Sequence, residues 1–142
     1  MRVVGNILWL LLGGFWMALA YALAGIVSFL LIITIPFGVQ AFKLAGFALW
    51  PFGRVMIPRA DASVSLSAIG NIIWLLVAGI WLAIGHLFAA VLNAITIIGI
   101  PFAAAHLKLA GAALTPFGNT IVPVEEARKR GHDVRVLVEP IG

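Results

Sequence analysis

Two stretches of the chain carry no charged side chain: residues 3–42, between Arg2 and Lys43, and residues 62–107, between Asp61 and Lys108. A membrane-crossing helix needs about 20 apolar residues, whereas helices of soluble proteins average about 12. Each run exceeds both. From Gly5 to about Thr34 only glycines interrupt the apolar pattern, and membrane helices tolerate glycine. The pattern predicts one long helix there, about 45 Å at 1.5 Å per residue, enough for a bilayer with its headgroup zones. Pro36 and Pro101, each lacking an N–H, mark helix breaks. A shorter helix is predicted from Phe37 to Trp50, with Gln40, Lys43 and Gly46 as a weakly polar stripe and Pro51-Phe52-Gly53 as its stop.

Two layouts follow. In the preferred one, the long helix crosses once and the short helix lies at the interface. The repeats described below are then inverted, with Arg2, Lys108, Arg128, Lys129, Arg130 and Arg135 on one side and Lys43, Arg54 and Arg59 on the other. In the alternative, each repeat is a hairpin of about 5–23 and 27–49, with both termini and the linker on one side. The positive-inside tendency favours the hairpin. The apolar turn it needs near Tyr21–Ser28, whose backbone requires partners, weighs against it.

The chain matches itself at a shift of 65 residues, and close to half of the paired positions are identical. Gly5-Asn6-Ile7-Leu8-Trp9 recurs as Gly70-Asn71-Ile72-Ile73-Trp74, and Ile35-Pro36-Phe37 as Ile100-Pro101-Phe102. Lys43-Leu44-Ala45-Gly46 recurs as Lys108-Leu109-Ala110-Gly111, and Pro51-Phe52-Gly53 as Pro116-Phe117-Gly118. Apolar composition alone does not align Asn, Trp, Lys, Gly and Pro in one register. The expected organisation is a membrane repeat over 4–58, a linker over 59–68, a second repeat over 69–123 and a polar basic tail over 124–142. In the tail, Val124–Arg130 suits a short helix ended by Gly131, and Val134, Val136 and Val138 alternate as in a strand. Met1–Ala20 has the outline of a signal peptide. Its overlay on an interior segment favours a retained helix.

These motifs, recurring in order in both copies from residue 4 to about 125, resemble the YccF family of bacterial inner-membrane proteins. The resemblance implies a multi-pass inner-membrane protein built of two such domains. It implies no activity and supplies no catalytic residues.

Composition agrees with the pattern. Of 142 residues, 63% are hydrophobic and only 10% charged, against about 25% in soluble domains. Mean hydropathy is +1.16. With no Cys, a disulfide scaffold is excluded. The net charge of +4 comes from few groups, mostly at the ends and in the linker. They read as contacts with a membrane surface, and no groove-reading pattern points to nucleic acid.

Candidate chemistry is sparse. The five acids, Asp61, Glu125, Glu126, Asp133 and Glu139, all lie in the linker or tail. Neither apolar run can therefore host a carboxylate relay or a paired-acid hydrolase. No catalytic, cofactor or metal site is expected, since no His or Cys spacing suits a metal. His86 lies deep in the second apolar run, where an unpaired polar group is costly. With Asn93, and Ser28 in the first repeat, it forms a candidate polar face, lining a pore or holding the bundle by interhelical hydrogen bonds. Lys43, Lys108, Arg128, Lys129 and Arg130 are candidate lipid-headgroup contacts. Asn6 and Asn71 are read chiefly as N-caps. Ala20, Ala24 and Ser28, and their equivalents Gly85, Ala89 and Asn93, form small-residue faces suited to close packing. Trp9, Trp50, Trp74 and Trp81 are read as interfacial anchors, with Trp16 and Trp81 as alternatives for deeper packing.

The expected fold is an all-α integral membrane protein of two homologous helical repeats, each a long transmembrane helix plus a shorter Pro-separated helix, with a small polar C-terminal tail. The expected location is the bacterial inner membrane, multi-pass. The expected role is a structural or accessory component, not an enzyme, that self-associates as a homo-oligomer or packs with a membrane partner in the lipid bilayer. A small oligomeric channel or transporter is the alternative.

Overall fold

The computed structural model describes residues 2–132. Helix α1 spans Arg2–Phe29, α2 spans Ile35–Leu49, and β1, Arg54–Pro58, follows. The second repeat keeps the order: α3 over Val64–Ala94, α4 over Ile100–Leu114 and β2 over Asn119–Pro123. Helix α5, Val124–Lys129, comes after it. Pro36 and Pro101 occupy the first turns of α2 and α4, where a missing N–H costs no helical bond. Ser63 caps α3 by accepting the Leu66 N–H at 3.4 Å. Helix α3 thus begins within the segment read as linker. The tail helix falls where expected, with Gly131 at φ +80° after it. The alternating valines at 134, 136 and 138 lie outside the described residues.

Each short helix returns along the C-terminal half of its long helix. The long helix and shorter Pro-separated helix of each repeat are found as expected, but the repeats are not inverted, because both Pro-Phe-Gly turns and both strands meet at one end. Each repeat folds as a hairpin, but its turn lies at residues 30–34 or 95–99 and not near Tyr21–Ser28, which is helical. Each apolar turn makes hydrogen bonds of its own. Thr34 N–H donates to Leu31 C=O at 2.9 Å, and Thr34 Oγ1 donates to the carbonyls of Ser28 and Leu31. In the second turn, Gly99 N–H donates to Thr96 C=O at 3.0 Å.

The two strands pair antiparallel across the repeats, from Arg54 opposite Pro123 to Pro58 opposite Asn119. This small sheet adds to the all-α expectation. Its signal was the β-branched content of Val55, Ile57, Thr120, Ile121 and Val122. Sheet, linker, α5 and the starts of both long helices share one end of the molecule. Among the described residues, every charged side chain lies at that end or reaches it. The opposite end holds only the two turns, where Leu30, Leu31, Ile32, Ile95, Ile97 and Ile98 are exposed. The core runs between the hairpins and includes Trp9, Tyr21, Leu44, Phe47, Trp74, Phe102 and Leu109.

Candidate functional site

The repeated motif residues converge on one frame. Asn6 and Asn71 sit inside the long helices and are not caps. Asn6 Oδ1 accepts the Phe52 N–H at 3.2 Å, and its Nδ2 donates to Phe52 C=O at 3.4 Å. Asn71 does the same for Phe117 at 2.9 and 3.1 Å. Each amide therefore clasps a Pro-Phe-Gly turn, whose glycine, Gly53 or Gly118, has φ +83° or +77°. Trp9 Nε1 donates to Ala48 C=O at 2.6 Å, and Trp74 Nε1 to Ala113 C=O at 2.7 Å. Both indoles are buried, so Trp9 and Trp74 lock the hairpins instead of anchoring at an interface, while Trp16 and Trp81 are exposed. Each indole lies over a glycine, Gly14 or Gly79, where a β-carbon would collide with it. A π-turn carries that glycine in each long helix, over Leu10–Gly14 and Leu75–Gly79.

The lysines tie one repeat to the other. Lys43 Nζ donates to Pro116 C=O at 2.6 Å and Asn119 C=O at 2.9 Å. Lys108 Nζ donates to Pro51 C=O at 2.7 Å and Arg54 C=O at 3.1 Å, with the Phe47 ring 5.4 Å away. Each ammonium thus neutralises the carbonyls that its partner repeat's turn leaves open. Arg128 and Lys129 are exposed on α5 and Arg130 just after it, where Arg130 pairs with Glu126.

At the centre of the bundle lies a buried polar chain. Tyr21 Oη stands 2.9 Å from His86 Nε2, and His86 Nδ1 stands 3.0 Å from His106 Nδ1. All three side chains are at most 1% exposed. The His106 ring tilts against Trp9 at 4.3 Å between centroids. A neutral imidazole has one donor and one acceptor nitrogen. If His86 Nδ1 donates, its Nε2 accepts from Tyr21. If His106 donates, His86 Nε2 donates to Tyr21. The chain thus has two tautomeric arrangements, and switching between them shifts every proton in the same sense.

His86 is therefore part of a polar cluster, but its partners differ from those expected. Asn93 Nδ2 donates to Ala89 C=O at 2.9 Å, and Ser28 Oγ to Ala24 C=O at 2.8 Å. Both fold back on their own helices. The small residues Ala20, Ala24, Gly85 and Ala89 are half-buried, while the tightest packing uses Ala18, Ala83 and Ala90. His106 escaped the sequence reading. Its signal was its position: in a hairpin centred near Thr96, residues 86 and 106 are equidistant from the turn and face each other. Among the described residues, no group of three His, Cys, Asp or Glu side chains stands ready to hold a metal.

The comparisons bear on the frame as a whole. The model of YccF, an inner membrane component domain, matches residues 4–54 and again 69–119. The inner membrane protein YccF of Escherichia coli (strain K12) is 38% identical over 90% of this chain and 92% of its own length. The protein of the same name in Shigella flexneri matches to the same extent. No solved structure matches.

Proposed function

The chain belongs to the YccF family of inner membrane component domains, and from that premise we propose that it is a structural or accessory component of the bacterial inner membrane, associating with further copies of itself or with a membrane partner. One observation carries this reading. The fully buried polar side chains Asn6, His86 and His106 are all bonded within the protein, so the polar interior holds the hairpins together. What the bundle offers its surroundings is apolar, including Trp16 and Trp81, each 68% exposed at equivalent places. The reading includes no catalysis. It sets the sheet end in the cytoplasm, because the basic residues gather there. Lys43 and Lys108 face headgroup depth, and Arg128, Lys129 and Arg130 lie toward anionic lipid.

The test is association in bilayers. Singly labelled copies are reconstituted at decreasing protein-to-lipid ratio, and energy transfer between copies is followed. Transfer that persists on dilution supports self-association. Monomers that purify without a membrane partner overturn the reading. The second reading, a small oligomeric channel or transporter, is favoured by the Tyr21–His86–His106 chain, a ready path for proton polarity. It predicts proton flux in proteoliposomes that His86→Phe abolishes while assembly persists.

A further inference from the structure

The two ends of the bundle offer their surroundings different chemistry. Charged side chains gather at the sheet end, whereas residues 3–42 and 62–107, which include both turns, carry none. At the turns Leu30, Leu31, Ile32, Ile95, Ile97 and Ile98 are 66–87% exposed. Six large apolar side chains standing out on two tips make a surface that water disfavours. The polar groups beside them are folded inward. Ser28 Oγ donates to Ala24 C=O at 2.8 Å, and Asn93 Nδ2 to Ala89 C=O at 2.9 Å. Thr34 Oγ1 bonds the carbonyls of Ser28 and Leu31. Thr96 Oγ1 donates to Asn93 C=O at 3.4 Å and accepts the Gly99 N–H at 3.0 Å. The polar side chains nearest the turns thus supply partners to backbone groups. Hydrocarbon demands such internal pairing, whereas water would supply the partners itself.

Length points the same way. From Asn6 to Phe29, and equally from Asn71 to Ala94, each long helix runs about 36 Å beyond the clasped turn of the frame. A hydrocarbon core is about 30 Å thick, and a bilayer with its headgroups about 40–45 Å. With the frame and its two lysines at headgroup depth, as in the reading above, the tips fall at the far edge of the core and short of the far water. We propose that both hairpins cross the core without surfacing, and that acyl chains of the opposite leaflet cover the tips at residues 30–34 and 95–99. Among the described residues, contact with water is then confined to the sheet end, and a polar partner meets the protein there.

The full chain has no Cys, so single thiols can be placed one at a time. Ile32→Cys and Ile97→Cys are each reconstituted in lipid-rich vesicles, with Ser65→Cys, exposed at the sheet end, as the control. A charged, membrane-impermeant maleimide is supplied on both faces. Labelling at 32 and 97 is expected to be at least about tenfold slower than at 65, because a thiol in apolar surroundings ionises poorly. Labelling after denaturation in SDS verifies that the thiols are free. The same sites then carry a nitroxide. Expected are frequent collisions with dissolved oxygen, which enters acyl chains, and few with a water-soluble nickel chelate. Labelling at the control rate, or nickel collisions as frequent as at the control, overturns the proposal, because the tips then meet water. Few collisions with either reagent overturn it too, because protein and not lipid then covers the tips. Association between copies is read separately, so failure here leaves the proposed role standing.

Discussion

The two repeats share a frame and differ at its centre. Asn6 and Asn71, Trp9 and Trp74, Lys43 and Lys108 make the same bonds to equivalent backbone groups. Where they face each other, the copies diverge. Position 21 is Tyr in the first repeat, and its equivalent at 86 is His; position 41 is Ala, and its equivalent at 106 is His. The backbone diverges beside that difference. Gly13 has φ +143° within the π-turn of α1, and a β-carbon on it would lie 4.0 Å from His106 Nε2. Its equivalent in α3 is Ala78. The motif that repeats builds each hairpin, through Asn6 and Trp9 in the first and Asn71 and Trp74 in the second. Its two lysines also tie the hairpins together, and the part that does not repeat adds the Tyr21–His86 contact between the hairpins and the His86–His106 contact within the second.

The largest effect comes from breaking the unrepeated centre. His86→Leu leaves Tyr21 Oη and His106 Nδ1 without partners in an apolar interior. It costs about 2 kcal/mol, within the range for stranded buried polar groups. Removing all three, as Tyr21→Phe, His86→Leu and His106→Leu together, recovers most of that loss, since nothing polar remains to be stranded. Reversible unfolding in mixed micelles gives both numbers. A triple variant no more stable than the single one would show that the chain is not a mutually satisfied unit.

The shared frame gives the next effect. Lys43→Met and Lys108→Met each strand two carbonyls of the opposite repeat and cost about 1.5 kcal/mol, as for hydrogen bonds to charged groups. The two losses are expected to be close, because the bonds are equivalent. If one variant is silent, the frame is symmetric in sequence only.

How much of this was legible follows from which interactions are local. The long and short helices were legible because apolar runs and prolines act along the chain. The hairpin was not preferred because the closure of its turns depends on hydroxyl bonds from Thr34 and Thr96, which an apolar sequence does not advertise. Asn6 suggested a cap because its partner, Phe52, lies 46 residues away. His86 was legible as a costly buried group. Its partners were not, since Tyr21 and His106 come from facing helices whose registers are set by packing.

The smallest effect lies at the rim, where the comparison sharpens once more. Arg2 has no basic counterpart: the equivalent residue of the second repeat is Ser67. Arg2 Nη1 bonds Glu125 Oε1 at 2.6 Å, tying the start of the first hairpin to α5. The hydrogen bond from Arg2 holds the Glu125 carboxyl below its usual value of 4.5. With the folded pKa depressed, the unfolded chain binds the proton first as pH falls. The contribution of the pair is whole above the ordinary carboxylate pKa and is lost as pH drops through the lowered folded one. Both groups meet solvent, so the contribution is small and salt screens it. Arg2→Ser, which copies the second repeat, is expected to leave melting at neutral pH nearly unchanged and to flatten the acid side of the curve. Melting from about pH 7 to about pH 3, at low and at high salt, checks this. If the variant keeps the natural acid-side slope at low salt, the slope belongs to other carboxylates, and the first repeat gains nothing by its extra charge.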